Sequence, residues 1–339
     1  MVVRSLAAAA ALSLLSGAAL AQDKPIELKF SLLLPPTHAN VASAREWGES
    51  LAKATGGSLK VTVFTAQQLG KANDHYDMAR DGIADVSHIS TGYEPGRLPV
   101  ASLTQMPLMM TNATGGSRAF DEWYRRYVAK DAPGVRYCLG FAHDPGALHA
   151  KKRITSPDEI KGMKIRPAHQ MMGNFVTLLG GTNVQASAPE SREILERGVA
   201  DAITFPWGSM LLFRIHDTVK FHMDLPFYVA SFAWLVNPKT YDRMSAAQKK
   251  ALDDHCNTEW AGRVADPWAK FEADGRAQLA ADKSREVYAL TDAQVAAWRK
   301  AAEPLKAQWV EAVKKAGAGD PDAIYADLVQ ALKKYNAAY

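Results

Sequence analysis

Between Ile26 and Ile89, short apolar stretches alternate with helical stripes, and that order restricts the chain to a narrow class of folds. Ile26 to Leu33 reads as a strand. Val41, Ala44, Trp47, Gly48 and Leu51 then fall on one helical face, which stops at Thr55-Gly56-Gly57. Leu59 to Phe64 alternates with period two, Asp74 to Arg80 has helical composition, and Ala84 to Ile89 reads as a third strand. A β-α-β-α-β order builds a mainly parallel sheet with right-handed crossovers, whose ligands sit beyond the carboxyl ends of the strands. The loops after Leu33, Phe64 and Ile89 are therefore expected to converge.

The middle of the chain repeats the scheme. Ser156-Pro157-Asp158-Glu159 and Ser187-Ala188-Pro189-Glu190 each have the form of a capping box, in which Ser and Glu satisfy the backbone donors that open a helix. Strands are expected at Met163 to Ile165, Thr182 to Gln185 and Ala202 to Phe205, with a helix to Leu179 closed by Gly180-Gly181. Gly82-Ile83-Ala84-Asp85 and Gly198-Val199-Ala200-Asp201 occupy the same place, after a helix and before a strand. A left-handed glycine stop suits each. A four-residue echo is also common in unrelated α/β proteins, but two similar lobes would show it.

The first residues point outward from the cell. Arg4 is followed by an Ala- and Leu-rich run from Leu6 to Leu20, and Ala19-Leu20-Ala21 has the small-x-small form of a signal-peptidase site. The run is short for a membrane span, so a cleaved leader over residues 1–21 and a soluble, exported chain are expected. The formal net charge is only +4 and the basic residues are interspersed with acidic ones, which argues against nucleic-acid binding. Cys138 and Cys256, the only two cysteines, are too few and too far apart for a disulfide scaffold or a zinc site; buried free thiols are the expectation.

After a strand at Phe232 to Val236 the composition turns helical. Ser245 to Lys283 is long for one globular helix and carries Asp266-Pro267, where a kink is expected. Such a helix suits a brace across two lobes. The tail from Asp292 to Tyr339 adds amphipathic helices, broken at Gly317-Ala318-Gly319-Asp320-Pro321.

Familiar catalytic patterns are missing: no G-x-S-x-G, no H-E-x-x-H, no P-loop and no G-x-G-x-x-G after a strand. His75 and His222 each have an Asp nearby, but metal sites need several converging donors. His143-Asp144, before Pro145-Gly146, falls near a crossing between lobes. Arg166 is a different case, because it stands where a short strand runs out, directly before Pro167. A guanidinium offers five N–H donors in a flat fork and keeps its charge, which suits a carboxylate; a surface ion pair is the ordinary alternative.

Several stretches in order carry a resemblance: Leu32-Leu33-Leu34-Pro35-Pro36-Thr37-His38, Ala54-Thr55-Gly56-Gly57, Gln68-Leu69-Gly70, Asp81 to Asp85, Gly92 to Arg97, Lys161 to Arg166, and Pro189-Glu190 through Gly198 to Asp201. Over essentially all its mature length the chain resembles the DctP-like substrate-binding proteins of tripartite ATP-independent periplasmic (TRAP) transporters. The resemblance implies a periplasmic-binding-protein fold of two α/β lobes, type II-like, with a cleft between them and a long helix spanning both. It implies no chemistry on the ligand, no cofactor and no metal. Arg166 is then the arginine that pairs with an organic acid's carboxylate, and the partners are the small and large membrane subunits of the transporter. The lobes are expected at 22–145 plus 232–270 and at 146–231 plus 271–339, in a periplasmic monomer.

Members of this family that take sialic acid surround the cleft with a second arginine, an acid and asparagines. At the positions judged to match, this chain has Leu148, Ser90, Leu33 and Phe205, and each exchange removes a polar partner. A polyol would leave buried hydroxyls unsatisfied at about 1–3 kcal/mol each. The expected ligand is an aromatic monocarboxylate, a 2-oxo or 2-hydroxy acid such as benzoylformate or mandelate. Phe205, Trp207, Tyr93, Phe213 and Trp234 are aromatic candidates for the wall, with core packing as the alternative. His38, Gln68, Ser90 or His143 could serve a 2-oxo group. A sugar acid or aliphatic carboxylate, a sensor for a receptor kinase, and an exported enzyme are the other readings.

Overall fold

In the computed structural model, which describes residues 23–94 and 96–339, β1 (Ile26–Ser31) lies parallel between β2 (Leu59–Phe64) and β3 (Val86–Ser90). The expected leader lies outside these residues. The stripe Val41, Ala44, Trp47, Gly48 and Leu51 is the buried face of the helix Ala39–Ala54. Trp47 meets Phe30 and Trp234 edge-on at 5.9 and 5.5 Å, so the first lobe is built around an aromatic centre.

The chain leaves this lobe along β4 (Arg136–Ala142), crosses at His143-Asp144-Pro145, and enters the second as β5 (Gly146–Ala150). There follow β6 (Lys164–Arg166), β7 (Thr182–Asn183), β8 (Ala202–Phe205) and β9 (Phe221–Tyr228). A second crossing at Val229-Ala230 returns it as β10 (Ser231–Val236), and β11 (Glu286–Tyr288) completes the second sheet. The sheet orders are β2-β1-β3-β10-β4 and β11-β9-β5-β8-β6-β7.

The two lobes agree with the sequence reading, but the sheets are more mixed than it suggests. β10 runs antiparallel to β3 and β4, and β5 antiparallel to β8 and β9. The reason is geometric. β1, β3 and β8 end at the cleft, whereas β5 and β10 begin there because the chain crosses there, so they must run the other way.

The short echo has a structural counterpart. Gly82 and Gly198 both adopt the left-handed conformation, with φ of 81° and 69°. Beyond them, Asp85 N donates to Lys29 O at 2.9 Å while the Asp85 carboxylate accepts from Lys29 N at 2.9 Å. Asp201 and Lys164 exchange the same pair of bonds, at 2.7 and 3.0 Å. Each Asp thus fixes the register of two parallel strands, and the position two residues beyond the lysine is Ser31 in one lobe and Arg166 in the other.

The expected long helix is two: Ala246–Asp254, then Thr258–Ala281, separated by His255-Cys256-Asn257. The second continues through Pro267, which cannot donate to Arg263 O. Its first half lies on the first lobe, where Ser43 Oγ donates to Val264 O at 3.3 Å. Its second half is fastened to the other lobe: Gly275 packs so closely on Gly208 that a Cβ would lie 2.2 Å from the Gly208 Cα. Glu272 accepts bonds there from Ser209 Oγ and Trp268 Nε1, both at 2.6 Å, and burial lifts its pKa to about 7.

The segment 271–339, assigned from sequence to the second lobe, is divided between the two. Trp298 Nε1 donates to Thr155 O in the second lobe at 3.2 Å, but the terminal helix Pro321–Lys334 packs on the first, where Trp123 Nε1 donates to Ile324 O at 3.0 Å. Among the described residues no helix is long and apolar enough to cross a membrane.

Cys138 and Cys256 are bonded to each other, which corrects the expectation of free thiols. β4 passes beneath the start of the long helix and brings the two Cα atoms to 4.4 Å, across a sequence separation of 118 that hides the proximity. Closing a loop of that size restricts the unfolded chain by about 4–5 kcal/mol in the chain-entropy account. Replacing both cysteines by serine should lower the unfolding free energy by about 2–5 kcal/mol, measured by denaturant unfolding, while far-UV circular dichroism stays unchanged.

Candidate ligand-binding cleft

A cavity of about 450 Å³, its open mouth included, lies where the strand ends converge. The loop after β1 contributes Leu33, Leu34 and His38, and the end of β3 contributes Ser90 and Tyr93. From the second lobe come Arg166, Ala168, Ala188, Phe205 and Phe213, and from the crossings His143, Tyr228, Ala230 and Phe232. Trp268 of the long helix closes one side. The wall is mostly apolar, with polar groups at His38, Ser90, Tyr93, His143, Arg166 and Ser209.

Arg166 is held before it meets any ligand. Pro167 keeps it extended, and its side chain is only 1% exposed. Nε donates to Ala186 O at 3.0 Å, Nη1 to Thr204 O at 3.3 Å and Nη2 to the Tyr93 hydroxyl at 3.1 Å. Phe205 lies under the guanidinium, its ring centre 5.5 Å from Cζ. No Asp or Glu pairs with Arg166 among the described residues. Of the five N–H groups a guanidinium carries, three have partners among the described residues and two do not.

Tyr93 reaches across the cleft from the first lobe. Its oxygen accepts from Arg166 and from Ala188 N at 2.8 Å, so its own hydrogen is left to donate. The second capping box now has a purpose beyond opening a helix, because Glu190 accepts from Ser187 N at 2.8 Å and thereby fixes Ala186 O and Ala188 N on either side. Gly92 makes the approach possible: a Cβ there would lie 2.2 Å from the His169 Cβ.

The histidines divide by what their nitrogens already do. His38 Nδ1 accepts from Asn40 N at 3.1 Å, which leaves the proton on Nε2 as a donor. His143, expected as a partner for a 2-oxo group, has both nitrogens engaged: Nε2 accepts from Ala230 N at 2.9 Å and Nδ1 is bonded to Asp144 O at 2.5 Å. It ties one crossing to the other, and only its ring faces the cavity. His169 ties the second crossing to the arginine's segment, Nε2 donating to Val229 O at 3.0 Å and Nδ1 accepting from Met172 N at 3.2 Å. Burial pushes His143 down to about 4 and His169 to about 3, so both stay neutral. His75 and His222 lie outside the cavity lining, bonded to His88 O at 2.9 Å and His149 Nδ1 at 2.8 Å.

Three further candidates do not line the cavity. Gln68 is exposed, and its Oε1 accepts from Thr65 N at 3.1 Å. Leu148 points to the opposite face of its sheet, because Ala147 is the residue that pairs with Phe205; it lines an apolar pocket with Ile165, Phe175 and Trp298. Trp207 turns away to pack edge-on against His149 at 5.0 Å. Trp234 is core, 4.8 Å from Phe30, whereas Phe213 does line the cavity and meets Phe205 at 5.7 Å. Sequence reasoning missed Tyr228, Phe232 and Trp268. Their only advance signal was position, beside a crossing or directly after the helix proline.

The His143 bonds require a neutral ring. Its folded pKa lies below the unfolded value near ~6.5, so its contribution is complete above that value and is lost as pH falls toward about 4. In a His143→Gln variant, the slope of unfolding free energy against pH between these limits should be shallower by up to ~1.4 kcal/mol per pH unit. Urea titrations across the range check this.

The model of the bacterial extracellular solute-binding protein family 7, DctP, matches residues 30–312. A TRAP solute-binding protein from Bordetella bronchiseptica, with (R)- and (S)-mandelate bound, is 30% identical; the match covers 91% of this chain and 99% of that one, with a TM-score of 0.85. One from Rhodoferax ferrireducens, in complex with copurified benzoate, is 25% identical over 92% and 98% of the chains, also with a TM-score of 0.85. The C4-dicarboxylate-binding periplasmic protein DctP of Rhodobacter capsulatus is 24% identical over 92% of this chain and 94% of its own. With its two lobes, its bridging helix and a match over most of its length, the chain belongs to the DctP family of bacterial extracellular solute-binding proteins.

Proposed function

We propose that the protein, after loss of its leader, captures an aromatic monocarboxylate in the periplasm as a monomer and delivers it to the small and large membrane subunits of a TRAP transporter. The observation that carries this reading is the buried Arg166 in the wall of an apolar cavity, with no acidic partner and two N–H groups unpartnered among the described residues. A carboxylate accepts both, and the Tyr93 hydroxyl supplies a third donor. Behind the carboxylate, Leu33, Phe205, Phe213, Phe232 and Trp268 offer surface for a flat ring, and favourable ring pairs add about 0.5–1.5 kcal/mol beyond burial. The mandelate and benzoate held by the relatives from Bordetella and Rhodoferax support the aromatic class. His38 Nε2 and the Ser90 hydroxyl are further polar groups of the first lobe, besides Tyr93, among the residues that line the same cavity.

Binding closes the lobes in this reading. An open cleft leaves the guanidinium hydrated; a carboxylate replaces that water, and exclusion of solvent strengthens the charge pair. The experiment is calorimetry with benzoate, mandelate and benzoylformate, beside glucuronate and succinate. Wild type should bind the aromatic acids. Arg166→Lys, which keeps the charge but loses the planar donor pair, should weaken them by at least about 100-fold, or ~2.7 kcal/mol, and Arg166→Ala should show no measurable binding. Stabilisation by sugar acids or dicarboxylates alone would overturn the aromatic assignment.

A further inference from the structure

Tyr228 ends β9 immediately before the second crossing and lines the cavity. Its ring rests on Gly146, its cross-strand partner, where a Cβ would lie 2.6 Å from the ring. The imidazoles of His143 and His169 flank it at 5.3 and 5.5 Å, and all four of their nitrogens are engaged with backbone groups. The Tyr228 oxygen is buried with no hydrogen-bond partner. Thr204 makes no hydrogen bond with the phenol, and its Oγ1 accepts instead from Ala168 N at 2.8 Å. Among the described residues, Tyr228's own hydrogen has no acceptor. A buried hydroxyl left in that state destabilises a fold, and its retention against a cavity calls for an acceptor from outside.

We propose that Tyr228 donates its hydroxyl hydrogen to an oxygen on the carbon next to the ligand's carboxylate, and so selects 2-oxo and 2-hydroxy acids. This rests on the carboxylate reading of Arg166. The Arg166 N–H pair fixes the plane of the carboxylate, and Tyr93 adds its hydroxyl from the first lobe. Tyr228 stands in the wall formed by the crossing, beside Ala230 and Phe232, where the chain of ligand atoms passes from the charged head to the ring. A 2-oxo group only accepts, which matches a lone donor. A 2-amino group would bring a second positive charge and three more donors toward Arg166 and two tyrosine hydroxyls that have hydrogens to give.

Calorimetry of wild type and Tyr228→Phe with benzoylformate, mandelate, benzoate and phenylglycine tests this. Wild type should bind mandelate at least about 100-fold more tightly than phenylglycine. Tyr228→Phe should weaken benzoylformate and mandelate about tenfold, or ~1.4 kcal/mol, and leave benzoate within about twofold, which is small against that step. Without ligand the variant should melt at the same temperature or higher, because it removes an unpartnered hydroxyl. Equal losses for benzoate and benzoylformate, no loss for either, or a lower melting temperature would overturn the assignment to the 2-oxygen. Benzoate binding with benzoylformate rejected would overturn it too, while the Arg166 reading stands; if wild type binds none of these acids, both fall.

Discussion

A guanidinium removed from water without a carboxylate beside it is unfavourable by several kcal/mol, and the structure around Arg166 is organised to hold one in that condition. Two carbonyls and a tyrosine oxygen accept from it, and the Phe205 ring lies beneath it. None of these neutralises the charge. In the reading proposed above, a small anion meets the demand that remains, and specificity follows from what surrounds it.

The connections between the lobes hold that site in position. Among the connections that join them, the first crossing is locked to the second through His143 and Ala230, and the second is tied to the arginine's segment through Val229 and His169. The helix is secured to the first lobe near Val264 and to the second through Glu272 and the Gly208–Gly275 contact, with Pro267 between these anchors. Tyr93 links the arginine directly to the opposite lobe.

Much of the scaffold was legible because it rests on local rules. Periodicity located the helix Ala39–Ala54, capping chemistry located Ser156 and Ser187, and left-handed glycines marked the turns at Gly82 and Gly198. The site was legible only in part. Arg166, Tyr93, Ser90, His38, Leu33 and Phe205 line the cavity, whereas Leu148 and Trp207 do not: Leu148 sits one residue along its strand from the one that faces Phe205, and Trp207 opens a helix that turns its ring onto His149. His143 was found in the right place with another task, since a sequence does not say whether a ring nitrogen is already bonded to backbone.

The sequence by itself determined the alternating elements, the carboxyl-end location of the cleft and the arginine at a strand end, because these follow from patterns a few residues long. Tertiary structure alone decided that Cys138 meets Cys256, that β5 and β10 run antiparallel, and that Tyr228 reaches the cavity without a partner for its hydroxyl. The first depends on β4 passing beneath the start of the long helix and the others on where the chain crosses between lobes, and both place side by side residues that sequence distance keeps apart.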